Sequence, residues 1–529
     1  MSGPPGQSRA ALLARLRADP VWDVLVVGGG ASGLGCAVDA AARGYQVALV
    51  EARDFAQGTS SRSTKLIHGG VRYLAQGRLG LVREALHERA RLLENAPHLV
   101  RPLRFVVPAR RWSELATVGA GLGLYDLLAG RGGIGRSRLL GAAETRAALP
   151  GVKADGLCGG VAYWDAQFDD ARLALALART LADLGGVPLN HCALERLLIE
   201  DGVIRGAVVR DTERAETFAL RARVVINATG VWSDQVRRLA NPAAPATLRP
   251  SQGVHLVVDR AFLPGRQALL VPRTEDGRVL FMIPWQDRLL LGTTDTARAD
   301  LPLEPEALPG EVDFILSTAA RYLERPPGRA DVLSVFAGLR PLLESAAARN
   351  SGELSREHVV EVSAQGLVSM LGGKWTTYRS MAADAVDAAI EWAGLPARPC
   401  ATASLRLHGA AAPRGDRLDA YGSDLSGLES LPGAGRVLVE GLDLTEAEVR
   451  HAARAEWARG VEDVLARRHR ALFLDATLAA CAAPAVAQIL AAELGRDEGW
   501  VAAQTDAFHA LASAYGASLS RACAAARSG

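Results

Sequence analysis

The glycine run Gly28-Gly29-Gly30-Ala31-Ser32-Gly33 constrains this chain more than any other feature, because of what flanks it. Ahead of it, Val24-Leu25-Val26-Val27 is a short apolar run of the buried-strand type. Behind it a helical pattern runs to Arg43, where Gly44 is placed as a cap. A second apolar run, Val47–Val50, ends in Glu51, about 20 residues past the first glycine. Strand, G-x-G-x-x-G turn, helix, strand and acid in this order make a dinucleotide-binding β–α–β unit. The glycines let the backbone approach a pyrophosphate, the helix N-terminus faces its charge, and the acid accepts from a ribose hydroxyl. The motif alone does not separate NAD from FAD.

At 529 residues the chain is too long for one core, and roughly two to four units are expected. Asp169 is placed to cap a helix through Leu173, Leu177, Leu181 and Leu184 that stops at Gly185-Gly186. Val224-Val225-Ile226-Asn227-Ala228-Thr229-Gly230 reads as a strand whose small residues bring backbone close to a ligand. Between 253 and 296 strands dominate, with Asp276-Gly277 as a hairpin signal, which predicts an antiparallel sheet. From about residue 399 the strand signals fade, and a capping-box pattern at Thr445 and Glu448 opens an alanine-rich helical region.

Charge and cysteine exclude several classes. Sixty basic against 58 acidic side chains give a net +2, so nucleic acid is not an expected partner. The six cysteines lack C-x-x-C spacing, which fits a reducing compartment and argues against zinc. No H-E-x-x-H or acid cluster suggests a metal. The apolar stretches Leu115–Gly130 and Ala471–Leu490 are interrupted by Asp126, and by Asp475 and Pro484, so neither reads as a spanning helix. No secretory signal is expected in residues 1–22, whose stretch Arg9–Ala18 is amphipathic. Arg467-Arg468-His469-Arg470 reads as a solvated helix face, with phosphate or lipid contact as the alternative.

Two segments are dense in chemistry. Thr59–Tyr73 combines hydroxyls, a His-Gly-Gly sequence and the cations Lys65, His68 and Arg72, and Gly372–Arg379 contains Lys374. Only Lys65, Lys153 and Lys374 are lysines, so two of the three fall in these segments. Between them lies Gly338-Leu339-Arg340-Pro341.

Thr59–Leu74, Gly292-Thr293-Thr294-Asp295, Gly338–Leu342 and Gly372–Arg379 together resemble the FAD-dependent glycerol-3-phosphate dehydrogenases of the respiratory, aerobic type. The likeness runs from about Asp23 to Met381 and resumes around Leu444–Asp475. It implies an α/β Rossmann-like FAD-binding domain (23–80, 150–240 and 335–395), an antiparallel-sheet substrate domain (81–149 and 241–334) and an all-α C-terminal domain (396–529), after an extension over 1–22. It also implies FAD, sn-glycerol 3-phosphate as substrate, dihydroxyacetone phosphate as product and a membrane quinone as acceptor. A homodimer lying on the inner face of the cell membrane is expected, through the amphipathic N-terminal stretch and the basic C-terminal helix. Some members have a small residue where Arg62 stands, an aromatic at Leu371 and an aliphatic at Trp375.

Carried over position by position, Gly28, Gly29, Gly30, Ala31, Ser32, Gly33 and Glu51 serve the FAD pyrophosphate and ribose, with Ala52 and Arg53 toward adenine. Thr59, Ser60, Ser61, Ser63, Lys65, Leu66 and His68 serve the ring end. Thr229, Gly230, Asp295, Lys374, Trp375 and Thr376 close the pocket, although Asp295 reads equally well as a turn-capping aspartate. Arg72, Arg340 and Lys374 surround substrate oxygens, supported by Tyr73, His255 and Arg356. Alcohol oxidation needs a proton acceptor, and His68 and His255 are both candidates, while Arg340 is placed to lower the alcohol's pKa. Rival readings keep the fold: an oxidase using oxygen, whose usual insertion before the C-terminal domain is not evident here, an amino-acid or amine oxidase, or a flavin-binding protein without turnover. An amino-acid site calls for one arginine for a carboxylate, not an Arg, Arg and Lys set suited to phosphate.

Overall fold

The computed structural model describes residues 7–18, 21–75, 77–275, 277–344 and 358–516. The strand Trp22–Val27 lies at the centre of the first sheet, parallel to Val47–Val50 on one side and to Glu216–Asn227 on the other. Leu367–Gly372 and then the antiparallel His358–Val362 extend one flank, and Val187–Leu189 extends the other. Val24, Leu25 and Val26 are fully buried, as a central strand covered on both faces requires. The helix Ala31–Ala42 follows the glycines and packs at Gly35 against Tyr378 of the helix Tyr378–Ala393; a Cβ at Gly35 would stand 2.9 Å from the tyrosine ring. Asp169 caps the helix Asp170–Asp183 by accepting from the Arg172 amide at 3.1 Å.

The second sheet is built mainly of antiparallel pairs among Leu248–Asp259, Val332–Leu343, Arg288–Gly292, Leu280–Trp285 and Ala268–Val271, continued by Val100–Ala109 and Gly159–Phe168. Ala268–Val271 and Leu280–Trp285 pair as the hairpin signal predicts; Asp276 itself lies outside the described residues. Three expected boundaries shift, the first at Leu66–Ile67, which pairs with Gly159–Phe168 in the second sheet. Gly159–Phe168 pairs with Val100–Ala109, and Val332–Leu343 pairs with Leu248–Asp259, so both belong to the second sheet and not to the nucleotide-binding one. Apolar patterning marks a strand but cannot say which sheet it joins.

The described elements after residue 400 are helical, and the capping box forms: the Glu448 carboxylate accepts from the Thr445 amide at 2.9 Å, and the Thr445 hydroxyl accepts from the Glu448 amide at 3.3 Å. One helix among the described residues, Ala476–Leu494, is long and apolar enough to cross a membrane. Its Ala476, Ala479, Ala480, Ala483, Val486 and Leu490 are buried in the core shared with the second sheet, so it packs as a core helix.

The expected solvated face at Arg467–Arg470 is reversed: all four side chains are buried. Arg467 and Arg468 both pair with Asp54 of the nucleotide-binding layer, Arg467 also pairs with Asp463, and Arg470 pairs with Asp170 at 3.2 Å. Asp54 and Asp170, which bury the cluster, come from far away in sequence, and only Asp463 and Glu462 are local, so the charge pattern of the run alone points the wrong way. The N-terminal helix Arg9–Ala18 also turns inward, with Leu12, Leu13 and Leu16 in the first core and Arg9 paired with Asp211 and Glu213. The apolar face of the first helix and the cations of the second are thus both taken up inside the protein.

Candidate active site

A cavity of about 770 Å³ runs along the edge of the first sheet to the second. At one end it is walled by the glycine turn. Gly28 has φ +109°, and a Cβ there would stand 2.6 Å from the carbonyl oxygen of Ala228; a Cβ at Gly33 would stand 1.9 Å from that of Gly28. Only glycine fits either position. Gly28, Gly30, Ala31 and Ser32 line the cavity, while Gly29 and Gly33 shape the turn from behind. Glu51 accepts from the Gly29 amide at 2.6 Å and from the Arg53 amide at 3.0 Å. Desolvation raises its carboxyl above the usual range, and those two amides oppose the shift. Ala52, Arg53, Thr229 and Gly230 line the same end.

The segment 59–68 forms the middle wall. Thr59, Ser60, Ser63, Leu66 and His68 face the cavity, and Ser60 Oγ accepts from the Ala31 amide at 2.9 Å, tying this loop to the helix N-terminus. Ser61 and Lys65 do not line it. Lys65 adopts φ +62°, and its ammonium points behind the loop, donating to Asp170 at 2.7 Å and to the Ser61 carbonyl at 2.8 Å. The sequence reading gave both residues to the cofactor; a run of hydroxyls and cations does not reveal which side of a loop each residue takes.

The far end carries the cations. Arg340 Nη2 donates to Thr293 Oγ1 at 3.0 Å, and Nη1 lies 3.6 Å from Asp295. Asp295 in turn accepts from Ser251 and is not among the lining residues, so it anchors Arg340 rather than closing the pocket. His255 stacks on Phe336 with ring centroids 4.9 Å apart, and its Nε2 lies 3.0 Å from Thr64 Oγ1. Burial first, then the charges of Lys65 and Arg340, push its pKa well below the ordinary imidazole value. The ring is therefore uncharged at neutral pH.

Lys374, Trp375 and Thr376 line the cavity, and Lys374 Nζ lies 5.0 Å from the centre of the Tyr73 ring. Tyr73 thus stands behind Lys374, outside the lining. His68 is joined through its backbone to Thr376 Oγ1 at 3.3 Å, and its ring meets Phe281 edge-on. Arg72 lies in the helix Val71–Ala75, its side chain outside the described residues, and Arg356 is outside them altogether. Sequence reasoning missed Thr64, Gly253, Trp232 and Leu303 as lining residues. Thr64 lay inside the flagged segment; the others carry no local signal.

The FAD-dependent oxidoreductase family profile matches residues 23–379, and that of the C-terminal domain of alpha-glycerophosphate oxidase matches 415–501. A mitochondrial glycerol-3-phosphate dehydrogenase of Arabidopsis thaliana is 40% identical, over 92% of this chain and 84% of its own. Glycerol-3-phosphate dehydrogenase 2 of Mycobacterium tuberculosis is 42% identical, over 92% and 86%. The solved glycerol-3-phosphate dehydrogenase of Bacillus halodurans, complexed with FAD, superimposes with a TM-score of 0.78 at 29% identity, covering 96% of this chain and 97% of that one.

The chain belongs to the FAD-dependent glycerol-3-phosphate dehydrogenase family.

The residues fit this family's cofactor. The β–α–β turn is open only because Gly28 and Gly33 lack a Cβ, and the cavity continues from it past Glu51 and the hydroxyl-rich loop to Trp375. At two positions where some members of the family differ, the structure gives each residue a task. Trp375 Nε1 donates to the Ser60 carbonyl at 2.9 Å, bracing the loop. Arg62 donates to the carbonyl of Gln57 and pairs with Glu304, which also accepts from the Tyr515 hydroxyl at 2.8 Å. It thereby joins the cofactor loop, the second sheet's connecting loop and Tyr515 at the end of the helix Glu498–Ala514.

Proposed function

We propose that this protein oxidises sn-glycerol 3-phosphate to dihydroxyacetone phosphate and passes the electrons to a membrane quinone. The observation that carries this reading is the placement of Arg340 beside an uncharged, buried His255 in a cavity that Lys374 also lines. When bound, FAD supplies the hydride acceptor. Arg340 and Lys374 are charge partners for the phosphate and for developing alkoxide, and the planar guanidinium suits bidentate oxygen recognition. Thr64 Oγ1 and His255 Nε2, 3.0 Å apart, form the pair that takes the alcohol proton. Aromatic packing by Phe336 fixes the imidazole plane.

A membrane partner gains support from the helix Trp112–Ala129, which contains most of the interrupted apolar stretch at 115–130. Its outer face presents Trp112, 73% exposed, then Ala116, Ala120, Gly123, Leu124 and Leu127, 75% exposed, at helical spacing. Arg110, Arg111, Arg131, Arg136 and Arg138 are exposed around its ends. An apolar stripe rimmed by arginine suits an anionic lipid surface on the inner face of the cell membrane. We also propose a homodimer, as the family resemblance implies, which sedimentation of the purified protein tests.

A second reading, oxygen as acceptor, is favoured by the alpha-glycerophosphate oxidase profile that matches 415–501. One experiment separates them. Anaerobic glycerol 3-phosphate should bleach the yellow chromophore, and a short-chain quinone should restore it much faster than air-saturated buffer. A chromophore that ignores the substrate overturns the substrate assignment; recovery as fast in air as with quinone overturns the acceptor.

A further inference from the structure

Behind the cofactor loop lies a buried ionic cluster that the chemistry above leaves unused. The loop 61–65 wraps the carboxylate of Asp170, which receives the Ser63 amide at 3.0 Å, the Ser63 hydroxyl at 2.7 Å and the Lys65 ammonium at 2.7 Å. Arg470 enters from the helical domain, pairing with Asp170 at 3.2 Å and donating to the Ser61 carbonyl at 2.7 Å. Aromatic rings of Trp285, Phe336 and Phe473 surround the ammonium at 5.3, 5.1 and 5.5 Å. Lys65 and Asp170 are fully buried and Arg470 is 1% exposed.

Two routes lead from this cluster to the proton-accepting pair. Thr64, next to Lys65 in the chain, holds His255 Nε2, and Phe336, which packs on the ammonium, also stacks on the imidazole. A buried lysine with a left-handed backbone is costly, and such cost is retained where the surroundings fix it for a purpose.

We propose that Lys65, held by Asp170 and the Ser61 carbonyl, is a positioning residue for His255: it sets the Thr64 contact and keeps the imidazole from binding a proton before substrate arrives. This rests on the reading of His255 as proton acceptor. The charged groups facing Lys65 are Asp170 and Asp169 at the start of one helix and Arg470 from the helical domain; those facing His255 are Lys65 and Arg340. Burial takes the Lys65 ammonium down to about 7, against the pull of Asp170, so it is charged through the acidic range where its field on His255 counts.

The test is the pH profile of anaerobic chromophore bleaching at saturating glycerol 3-phosphate in the parent, Lys65→Met, Lys65→Gln, Lys65→Arg and His255→Gln. Lys65→Gln keeps a donor for the Ser61 carbonyl and Asp170, so it serves if the methionine variant does not fold. Loss of the positive charge should move the acid limb up by about one pH unit, a roughly tenfold slower rate on its acid side. KM and bound FAD should change little, and Lys65→Arg should return the limb toward its parental place. A limb unmoved in both neutral variants overturns the role of Lys65. A limb that survives in His255→Gln overturns instead the reading of His255 on which it rests.

Discussion

The Cβ that Gly253 lacks would lie 2.1 Å from Nη2 of Arg340. One strand therefore gives up a side chain so that the guanidinium of its antiparallel neighbour can cross it and reach Thr293. Gly253→Ala should displace the guanidinium and mimic a mild loss of Arg340. We expect Arg340→Lys, which keeps charge but loses the planar fork, to raise KM for glycerol 3-phosphate about tenfold to a hundredfold, the equivalent of one charged hydrogen bond. Gly253→Ala should fall in the same direction with full FAD content. Steady-state kinetics with an artificial electron acceptor read both.

Gly33 tests cofactor retention separately from substrate binding. A Cβ placed 1.9 Å from the Gly28 carbonyl forces the turn apart, so Gly33→Ala should be purified with little FAD. The ratio of visible to ultraviolet absorbance measures this. A variant that keeps stoichiometric FAD contradicts the assignment of this turn to the pyrophosphate.

The contact between the layers should be sensitive to acid. Burial works to raise the carboxyls of Glu456 and Asp463, but Arg172 and His451 for the first, and His191 and Arg467 for the second, hold both well below the ordinary range. Depressed carboxylates give stability that is complete above the unfolded value, about pH 4, and is withdrawn as pH falls further. His191 has the opposite sign. Burial lowers its pKa, but Asp463 more than offsets this and leaves it raised, so its contribution is complete below about pH 6.5 and fades as pH rises through the raised value. Melting temperature should therefore peak in the mildly acidic range and fall on both sides, most steeply below pH 4.

Asp54 faces two buried arginines, Arg467 and Arg468. Asp54→Asn removes the carboxylate and leaves both cations under-compensated, which should cost about 3–5 kcal/mol of unfolding free energy. Urea denaturation of the holoenzyme checks it.

If the exposed stripe meets lipid, replacing Trp112 and Leu127 by serine should weaken co-sedimentation with anionic vesicles at least about tenfold. Activity toward a water-soluble acceptor should stay at the parental level, since neither residue lines the cavity. Binding of the parent should fall with added salt as the arginines are screened.

The β–α–β turn was legible because its chemistry is local: each glycine, the helix and Glu51 lie within one continuous segment. The same holds for Asp169 and Thr445, whose caps act over three residues. Lys65 and the run Arg467–Arg470 were misplaced for the converse reason. Their orientation depends on Asp170, Asp54 and Asp463, and except for Asp463 these partners lie a hundred or more residues away in the chain. A cation cluster reads as solvated until its counter-charges are located in space. Gly253 and Thr64 show a further limit, since their importance comes from a neighbour across a sheet or loop and not from their own chemistry.

Arg470, from the helical domain, donates to the Ser61 carbonyl, next to the residue that ties the loop to the nucleotide-binding helix. The ribosome makes that arginine some four hundred residues after the serine. The nascent Rossmann layer therefore emerges with its flavin loop still lacking this support, which forms only after the last third of the polypeptide has been made and has docked. Fragments from interrupted translation should therefore emerge pale.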